Sequence, residues 1–195
     1  MRRRTFDALM VAAGTTLAII LLVAGGLLTW GSTYTHNNVR NQLAAQQIYF
    51  PAKGSPELAS PKIGPYLNQY AGQQLLTGQQ AQAYADHFIA VHVAAMTGGK
   101  TYSQLSAQAQ ANPSNTKLAN LTNTVFKGET LRGLLLNAYA FWKMSQLMLI
   151  GAIVAFAGAG LLLILSVLGT VHLRRTRPET EVMPTLAHTA PARAA

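Results

Sequence analysis

Two long uncharged stretches dominate the pattern of apolar and polar positions along the chain. Residues 8–30 and 144–171 contain no Asp, Glu, Lys or Arg. About 20 apolar residues in a helix, at a rise of about 1.5 Å each, cross a hydrocarbon core of about 30 Å. A spanning segment must also satisfy its own backbone hydrogen bonds, which a helix does. We therefore predict transmembrane helices at 8–30 and 143–171.

The first stretch also resembles the apolar part of a signal peptide. Such a part usually has about 7 to 15 residues and ends in an A-x-A-like cleavage site. The run at 8–30 is longer, and no such site follows it. The pattern favours an uncleaved signal anchor.

Helical patterns fill the segment between the two spans. Thr77 is a predicted N-cap for a helix over 78–96 that Gly98-Gly99 ends, because glycine readily adopts the left-handed C-cap conformation. Thr101 with Gln104 forms a capping-box pattern for a helix ending near Ala111. At 100° per residue, the core-facing stripe of the first helix is predicted to hold Ala81, Tyr84, Ala85, Phe88, Ile89, Ala95 and Met96.

A last helix is predicted to begin near Asn115 and to continue without proline into the second span, with bends at Gly128 and Gly133. The fold class that follows is all-α, with two transmembrane helices and an inserted helical extracytoplasmic domain. The predicted organisation is a cytoplasmic N-terminus (1–7), transmembrane helix 1 (8–30), the extracytoplasmic domain (31–142), transmembrane helix 2 (143–171) and a disordered cytoplasmic tail (172–195).

The net charge of +9 comes largely from arginines at the two ends of the chain. Lys and Arg that flank a span favour the cytoplasmic side. Arg2, Arg3 and Arg4 precede the first span, and Arg174, Arg175 and Arg177 follow the second. We therefore expect a plasma-membrane protein with both termini in the cytoplasm and the lipid bilayer as its principal partner. The same distribution argues against nucleic-acid binding.

Aromatic side chains lie at the predicted outer ends of both spans, where amphipathic rings favour the headgroup layer. Lys143 can extend its ammonium from there into water. The predicted membrane-interface residues are Trp30, Tyr139, Trp142 and Lys143.

Small residues recur every four positions in the second span, at Gly151, Ala155 and Ala159. Such a face lets helix backbones approach closely. Two interpretations remain open: the face packs the two spans of one chain together, or it mediates self-association or docking on a membrane-protein partner.

The predicted extracytoplasmic domain is poor in reactive groups. The chain has no cysteine, and a helix places Asp86, His87 and His92 at about 100°, 200° and 340°, in three directions. His92 is expected to be buried and bonded to a backbone carbonyl, or else to bind a metal with ligands from other helices. We predict no catalytic residue and no cofactor.

Glu129 and Arg132 are spaced to pair across one helical turn. Either the pair locks its helix against the loop, or Arg132 faces a carboxylate or phosphate. We take Asp86, His92, Glu129 and Arg132 as the structural or ligand-facing candidates.

Several segments of the predicted domain resemble an uncharacterised family of two-span actinobacterial membrane proteins. Some members are labelled aromatic ring-opening dioxygenases, and that label implies a 2-His-1-carboxylate iron site. The matching segments are NQLAAQQIYFP (41–51), QYAGQQ (69–74), AYADHFIAVH (83–92), GGKTYSQLSA (98–107) and GETLRGLLLNAY (128–139).

The expected function is a non-catalytic accessory or scaffold role in a cell-envelope or membrane complex. One alternative is a receptor-like ligand binder, because a helical outer domain between two spans is also a sensor layout. The second alternative is the non-haem iron dioxygenase that the family label suggests.

Overall fold

Helices make up nearly all the regular secondary structure of the part of the chain that the computed structural model describes, residues 3–175. The α-helices are α1 (Arg3–Ala45), α2 (Gly64–Leu67), α3 (Gly78–Tyr84), α4 (Ala90–Thr97), α5 (Tyr102–Ala111) and α6 (Thr116–Arg175). Two 3₁₀ turns (Pro56–Ala59 and Asn68–Tyr70) flank α2, and a π-helical turn (Ala85–Ile89) joins α3 to α4. Over this range the predicted all-α class is confirmed.

The chain divides into two units. Unit 1 comprises Met1–Thr29 and Ile150–Ala195, of which 3–29 and 150–175 are described, and unit 2 is Trp30–Leu149. α6 continues four residues past the predicted end of the second span, so 172–175 are helical rather than part of a disordered tail. The rest of that predicted tail lies outside the described residues.

In unit 1, α1 and α6 pack against each other as antiparallel helices. A methyl group added at Gly14 would lie 2.9 Å from Ser166 Oγ, and one added at Gly169 would lie 2.7 Å from a methyl group of Val11. The contacts thus pair early residues of α1 with late residues of α6. These glycines permit a backbone approach that any side chain would prevent.

The residues buried in unit 1 are small. Two buried residues of α1 lie seven positions apart, Ala18 and Gly25. Three buried residues of α6 follow the same spacing, Ala152, Ala159 and Ser166. A spacing of seven keeps one seam of each helix facing its neighbour. Ala155 is also buried, and a methyl group added at Gly151 would lie 3.3 Å from Leu28 of α1, so the predicted small-residue face is largely covered within the chain. Association with another molecule through this face remains a prediction and would require displacement of α1.

Many large apolar residues of unit 1 are exposed, although some, such as Val11 and Leu28, face the other helix. Leu27 is 64 % exposed and Val154 is 66 % exposed. Both α1 and α6 are long and apolar enough to cross a membrane, and only 11 % and 17 % of their most apolar segments are buried. These helices therefore differ from the core helices of a soluble protein, which bury their large side chains.

Unit 2 has a conventional apolar core. Its buried residues are Val39, Leu43, Phe50, Leu58, Ile63, Leu67, Leu75, Ala81, Ala85, Ile89, Val93, Leu105, Val125, Leu135 and Trp142. The segment between α1 and α3 closes on itself through two backbone bonds, from Phe50 N–H to Gln73 C=O and from Leu75 N–H to Ile48 C=O, both 2.9 Å. This closure carries Phe50 into the core, where 3 % of its surface is exposed.

The predicted capping signals are confirmed. Thr77 with Gln80 and Thr101 with Gln104 form complete capping boxes, and Gly98 adopts a left-handed conformation (φ 62°) at the end of α4. Asn115 caps α6 by accepting a bond of 3.0 Å from Leu118 N–H. α6 is one continuous helix through Gly128, which lies close to Val93 of α4 and thus serves helix packing.

The buried stripe along α3, the π-helical turn and α4 differs from the prediction at its C-terminal end. Ala81, Ala85 and Ile89 are buried as predicted, but the stripe continues through Val93 and Thr97, whereas Ala95 and Met96 are exposed. The π-helical turn has more residues per turn than an α-helix and so shifts the repeat to four residues. The prediction from a strict helical period was therefore wrong beyond Ile89.

Trp142 is a core residue of unit 2, which corrects the prediction that it lies among lipid headgroups. It is 6 % exposed, and a methyl group at Gly78 would collide with its Cβ and Cγ atoms. Its ring centroid lies 4.0 Å from that of His36. The neighbours that bury this ring come from distant parts of the chain.

We predict that Gly78→Ala lowers the free energy of unfolding by roughly 1–3 kcal/mol, because the added methyl group overpacks the contact with Trp142. Gly133→Ala is the matched control, since nothing lies within 4 Å of its added methyl group. The control should gain up to about 1 kcal/mol from helix propensity. Denaturant unfolding of the full chain in detergent, followed by circular dichroism, measures both. Equal stability of the two variants would contradict this packing.

Candidate functional site

Arg132 joins two carboxylates that are far apart in sequence. Its Nη1 lies 3.3 Å from Glu129 Oε2 on the same helix, and its Nη2 lies 3.4 Å from Asp86 Oδ1 in the π-helical turn. The predicted i, i+3 pair is therefore present, and Asp86 is an additional partner. All three side chains are about one-third exposed. The bond to Asp86 ties α6 to the π-helical turn, which agrees with the interpretation that the pair locks its helix in place. A role for Arg132 toward the carboxylate or phosphate of a ligand stays a prediction.

A cleft beside Arg132, which we call the Arg132 cleft, has a volume of about 330 Å³. Helices α4 and α6 form two of its walls, and the segment that begins α5 forms a third. Its polar and charged side chains are those of Thr97, Lys100, Thr101, Tyr102, Glu129 and Arg132. The cleft thus combines two cationic side chains, one carboxylate and three hydroxyl groups.

Two polar atoms of cleft residues have no hydrogen-bond partner among the described residues. They are the Thr97 hydroxyl oxygen and Arg132 Nε, and both are buried. Thr97 belongs to the buried stripe of α4, where a hydroxyl group usually has a hydrogen-bond partner. Ser55 Oγ and Trp142 Nε1 are the other buried side-chain atoms of unit 2 without a partner among the described residues.

The two candidate histidines have local partners. His92 Nδ1 lies 2.7 Å from Phe88 C=O, as predicted, but the side chain is exposed rather than buried. The ring of His87 stacks on that of Tyr66, with centroids 3.5 Å apart. Asp86, His87 and His92 thus have three different partners.

Within residues 3–175, no three His, Asp or Glu side chains lie close enough together to hold a metal ion. The 2-His-1-carboxylate set implied by the dioxygenase label is therefore not formed by these residues, and His92 has no companion ligands among them.

Two ionisable groups near the cleft-forming helices have shifted pKa values. Burial raises the pKa of Tyr84, whose ring lies between Phe50 and Phe88. A hydrogen bond from its own backbone N–H lowers the pKa of the exposed Glu57 carboxyl group. Neither group lines the Arg132 cleft.

The predicted interface residues other than Trp142 are accessible at the surface of unit 2. Trp30 is 68 % exposed and stacks on Tyr34, with ring centroids 5.8 Å apart. The ammonium of Lys143 lies 6.0 Å from the centre of the Tyr139 ring, within the range of a cation–π interaction.

A second concave surface of unit 2, which we call the α1–α6 groove, has a volume of about 450 Å³. No charged side chain lines it. Its exposed apolar walls include Tyr34, Leu134 and Phe141, and its polar lining includes Asn38 and Gln42.

Sequence reasoning missed several notable residues. Thr97 and Lys100 did not stand out because the stripe on α4 was misplaced and because a lysine in a loop is usually solvated. The four-residue repeat of buried positions that begins at Ala81 is the pattern that places Thr97 on the buried side of α4. In unit 1, Asp7 Oδ2 and His172 Nε2 lie 4.0 Å apart, a pairing that follows only from the antiparallel contact of the two helices.

No protein-family model, curated protein or solved structure matches the chain. The resemblance to two-span membrane proteins remains a prediction.

We predict that Arg132→Met lowers the stability of the full chain by about 1 kcal/mol, whereas Lys127→Met at an exposed site changes it by less than about 0.5 kcal/mol. A double-mutant cycle with Asp86→Asn should give a larger coupling energy than one with Glu129→Gln. The reason is that an i, i+3 pair contributes only about 0.2–0.5 kcal/mol to a helix. Zero coupling to Asp86 would mean that the contact does not hold α6 to the π-helical turn.

Proposed function

We propose that this protein is a two-pass integral membrane protein of the plasma membrane, and that its helical unit 2 lies outside the cytoplasm as a non-catalytic accessory or scaffold for a membrane complex. The observation that carries the proposal is the arrangement of unit 1. Its two helices bury Ala, Gly and Ser residues and expose Leu, Ile and Val residues.

Lipid is the solvent that suits this arrangement. In water, each exposed large apolar side chain forgoes about 1.5–3 kcal/mol of burial free energy. In a bilayer those side chains lie among hydrocarbon, and helices associate through close packing of small residues. The contacts of Gly14 with Ser166 and of Gly169 with Val11 are of this kind.

The charge distribution supports an orientation. Arg3 and Arg4 begin the described part of α1, and Arg174 and Arg175 end that of α6. Arginines that flank spans favour the cytoplasmic side. The exposed, stacked Trp30 and Tyr34, with Tyr139 and Lys143 on α6, then lie at the outer headgroup layer, where aromatic rings are favoured.

Single-cysteine labelling tests the membrane topology, since the chain has no cysteine of its own. In intact cells, an impermeant maleimide should label Lys53→Cys, which is exposed in unit 2, and should label Arg4→Cys only after permeabilisation. Leu161→Cys should resist labelling in both cases because lipid surrounds it. Labelling of Arg4→Cys but not Lys53→Cys in intact cells would contradict the orientation.

The accessory role is supported by the α1–α6 groove. Its lining is uncharged, and Leu134 is 62 % exposed at its wall. Tyr34 of the same groove belongs to the aromatic surface proposed to lie at the headgroups, and Phe141 also lines the groove. An occupant must therefore reach the membrane surface. The occupant that we propose is an uncharged amphipathic helix of another membrane protein.

Native complexes test this role. The full chain, extracted from its own membranes in mild detergent, should migrate as a discrete hetero-complex. Leu134→Glu should abolish the complex because it places a charge in the groove, whereas Thr124→Glu, exposed elsewhere on α6, should not. A monomer, a homo-oligomer, or a complex equally stable in both variants would contradict the proposal.

A receptor-like ligand binder is the second candidate function. The observation that favours it is the Arg132 cleft, which combines the cationic side chains of Lys100 and Arg132 with the Glu129 carboxylate. A binding role for the cleft is compatible with an accessory role for the groove, since the two surfaces share no lining residue.

A further inference from the structure

A long groove runs between the two helices of unit 1. This surface, which we call the unit 1 groove, has a volume of about 620 Å³ and is lined by α1 residues between Asp7 and Leu17 and by α6 residues between Leu162 and His172. Each wall extends over ten residues of helix, or about 15 Å. A hydrocarbon core is about 30 Å thick, so the groove has the length of one leaflet.

The walls of the groove are apolar along most of this length. Four large side chains that line it are also exposed, those of Met10, Leu17, Leu165 and Leu168. Two ionisable residues line it, Asp7 and His172, and both lie at the same end. The groove therefore suits a flexible hydrocarbon chain with a polar group at one end.

The polar end of the groove is positively charged. Asp7 Oδ2 and His172 Nε2 lie 4.0 Å apart, so the two helices are adjacent there. Arg4 precedes Asp7 by three positions and Arg175 follows His172 by three, and residues at this spacing share a helix face. Two arginines thus lie one helical turn beyond the end of the groove, on the faces that form it.

These arginines are available to a ligand. Arg4 and Arg175 are exposed, and neither makes an ion pair within residues 3–175. The described part of unit 1 contains four arginines, all near this end, and Asp7 is its one carboxylate. The end of the groove is therefore positive even with Asp7 ionised.

The geometry points to a binding site for one anionic phospholipid. One acyl chain lies along the groove, and the phosphate group accepts hydrogen bonds from Arg4 and Arg175, since a guanidinium group matches the geometry of phosphate oxygens. A zwitterionic phospholipid offers the same chain and phosphate, but its cationic headgroup would meet the same arginines. The inference rests on the proposed position of unit 1 in a bilayer and does not depend on the accessory role.

Native mass spectrometry of the full chain in detergent tests the site. The probes are phosphatidylglycerol and phosphatidylcholine with identical acyl chains, added in equal amounts. The chain should retain one molecule of phosphatidylglycerol with an apparent affinity about tenfold or more above that for phosphatidylcholine, because cationic side chains next to a span attract anionic headgroups.

Arginine variants locate the headgroup. Arg4→Gln and Arg175→Gln should each lower the affinity for phosphatidylglycerol severalfold. Arg174→Gln is the matched control, because it removes the same charge from an exposed residue that follows His172 by two positions and so lies on another face of α6. Its affinity for phosphatidylglycerol should stay close to that of the natural chain.

A pair of alanine variants locates the acyl chain. Ala12 and Ala13 are both exposed on α1, but Ala13 lines the groove and Ala12 does not. Ala13→Phe should therefore obstruct the groove and weaken the retention of phosphatidylglycerol about tenfold, whereas Ala12→Phe should leave it unchanged.

Three results would overturn the inference. Equal retention of the two lipids would mean that lipid surrounds the helices without selection. Equal losses in Arg174→Gln and Arg175→Gln would indicate diffuse charge rather than a site, and full retention by Ala13→Phe would exclude the groove. Any of these, together with the cysteine labelling expected above, would leave the proposed topology in place.

Discussion

The close contact between α1 and α6 in unit 1 is the constraint on which the interpretation of this protein depends. It is made by the smallest side chains of each helix, among them Ala18 and Gly25 on α1 and Ala159 on α6. The seven-residue spacing of these positions keeps the two seams in contact along the helices. Because the small residues occupy the seam, many large apolar residues are exposed, and the proposed bilayer would supply an apolar solvent for them.

Unit 2 follows the opposite rule. Large residues such as Leu67, Leu75 and Trp142 are buried in a common core, although Leu134 and other apolar residues are exposed at its surface. The same two helices, α1 and α6, thus have small residues inside in one unit and contribute large ones to the core of the other. Under the proposed membrane topology, this change of pattern along each helix corresponds to a change of solvent, from hydrocarbon to water.

Local signals in the sequence predicted most of the helical architecture. The capping boxes at Thr77 and Thr101 need only residues three positions away, so their recognition from sequence succeeded. The partners of Trp142 and Asp86 could not be predicted in this way. Gly78 and His36 pack against Trp142, and Arg132 binds Asp86. These partners are far apart in sequence, and a helical period relates only residues that are close in sequence.

The residues of the Arg132 cleft were also only partly predictable from the sequence. Glu129 and Arg132 were recognisable as a pair because they share a helical turn, but Thr97 and Lys100 reach the site through the π-helical turn and the loop before α5. A one-residue change in helical phase decides whether Thr97 or Met96 faces inward. Small shifts of this kind do not alter the fold class, yet they determine which side chains form a site.

Spin-label accessibility along 153–168 in lipid nanodiscs tests the central claim most directly. Single labels at the large outward positions, such as Leu161 and Ile164, should collide frequently with oxygen and rarely with a water-soluble nickel chelate. Labels at Ala155, Ala159 and Ser166 should collide rarely with either reagent. High accessibility of Leu161 to the nickel chelate, or of Ala159 to oxygen, would contradict a lipid-facing exterior around a small-residue seam.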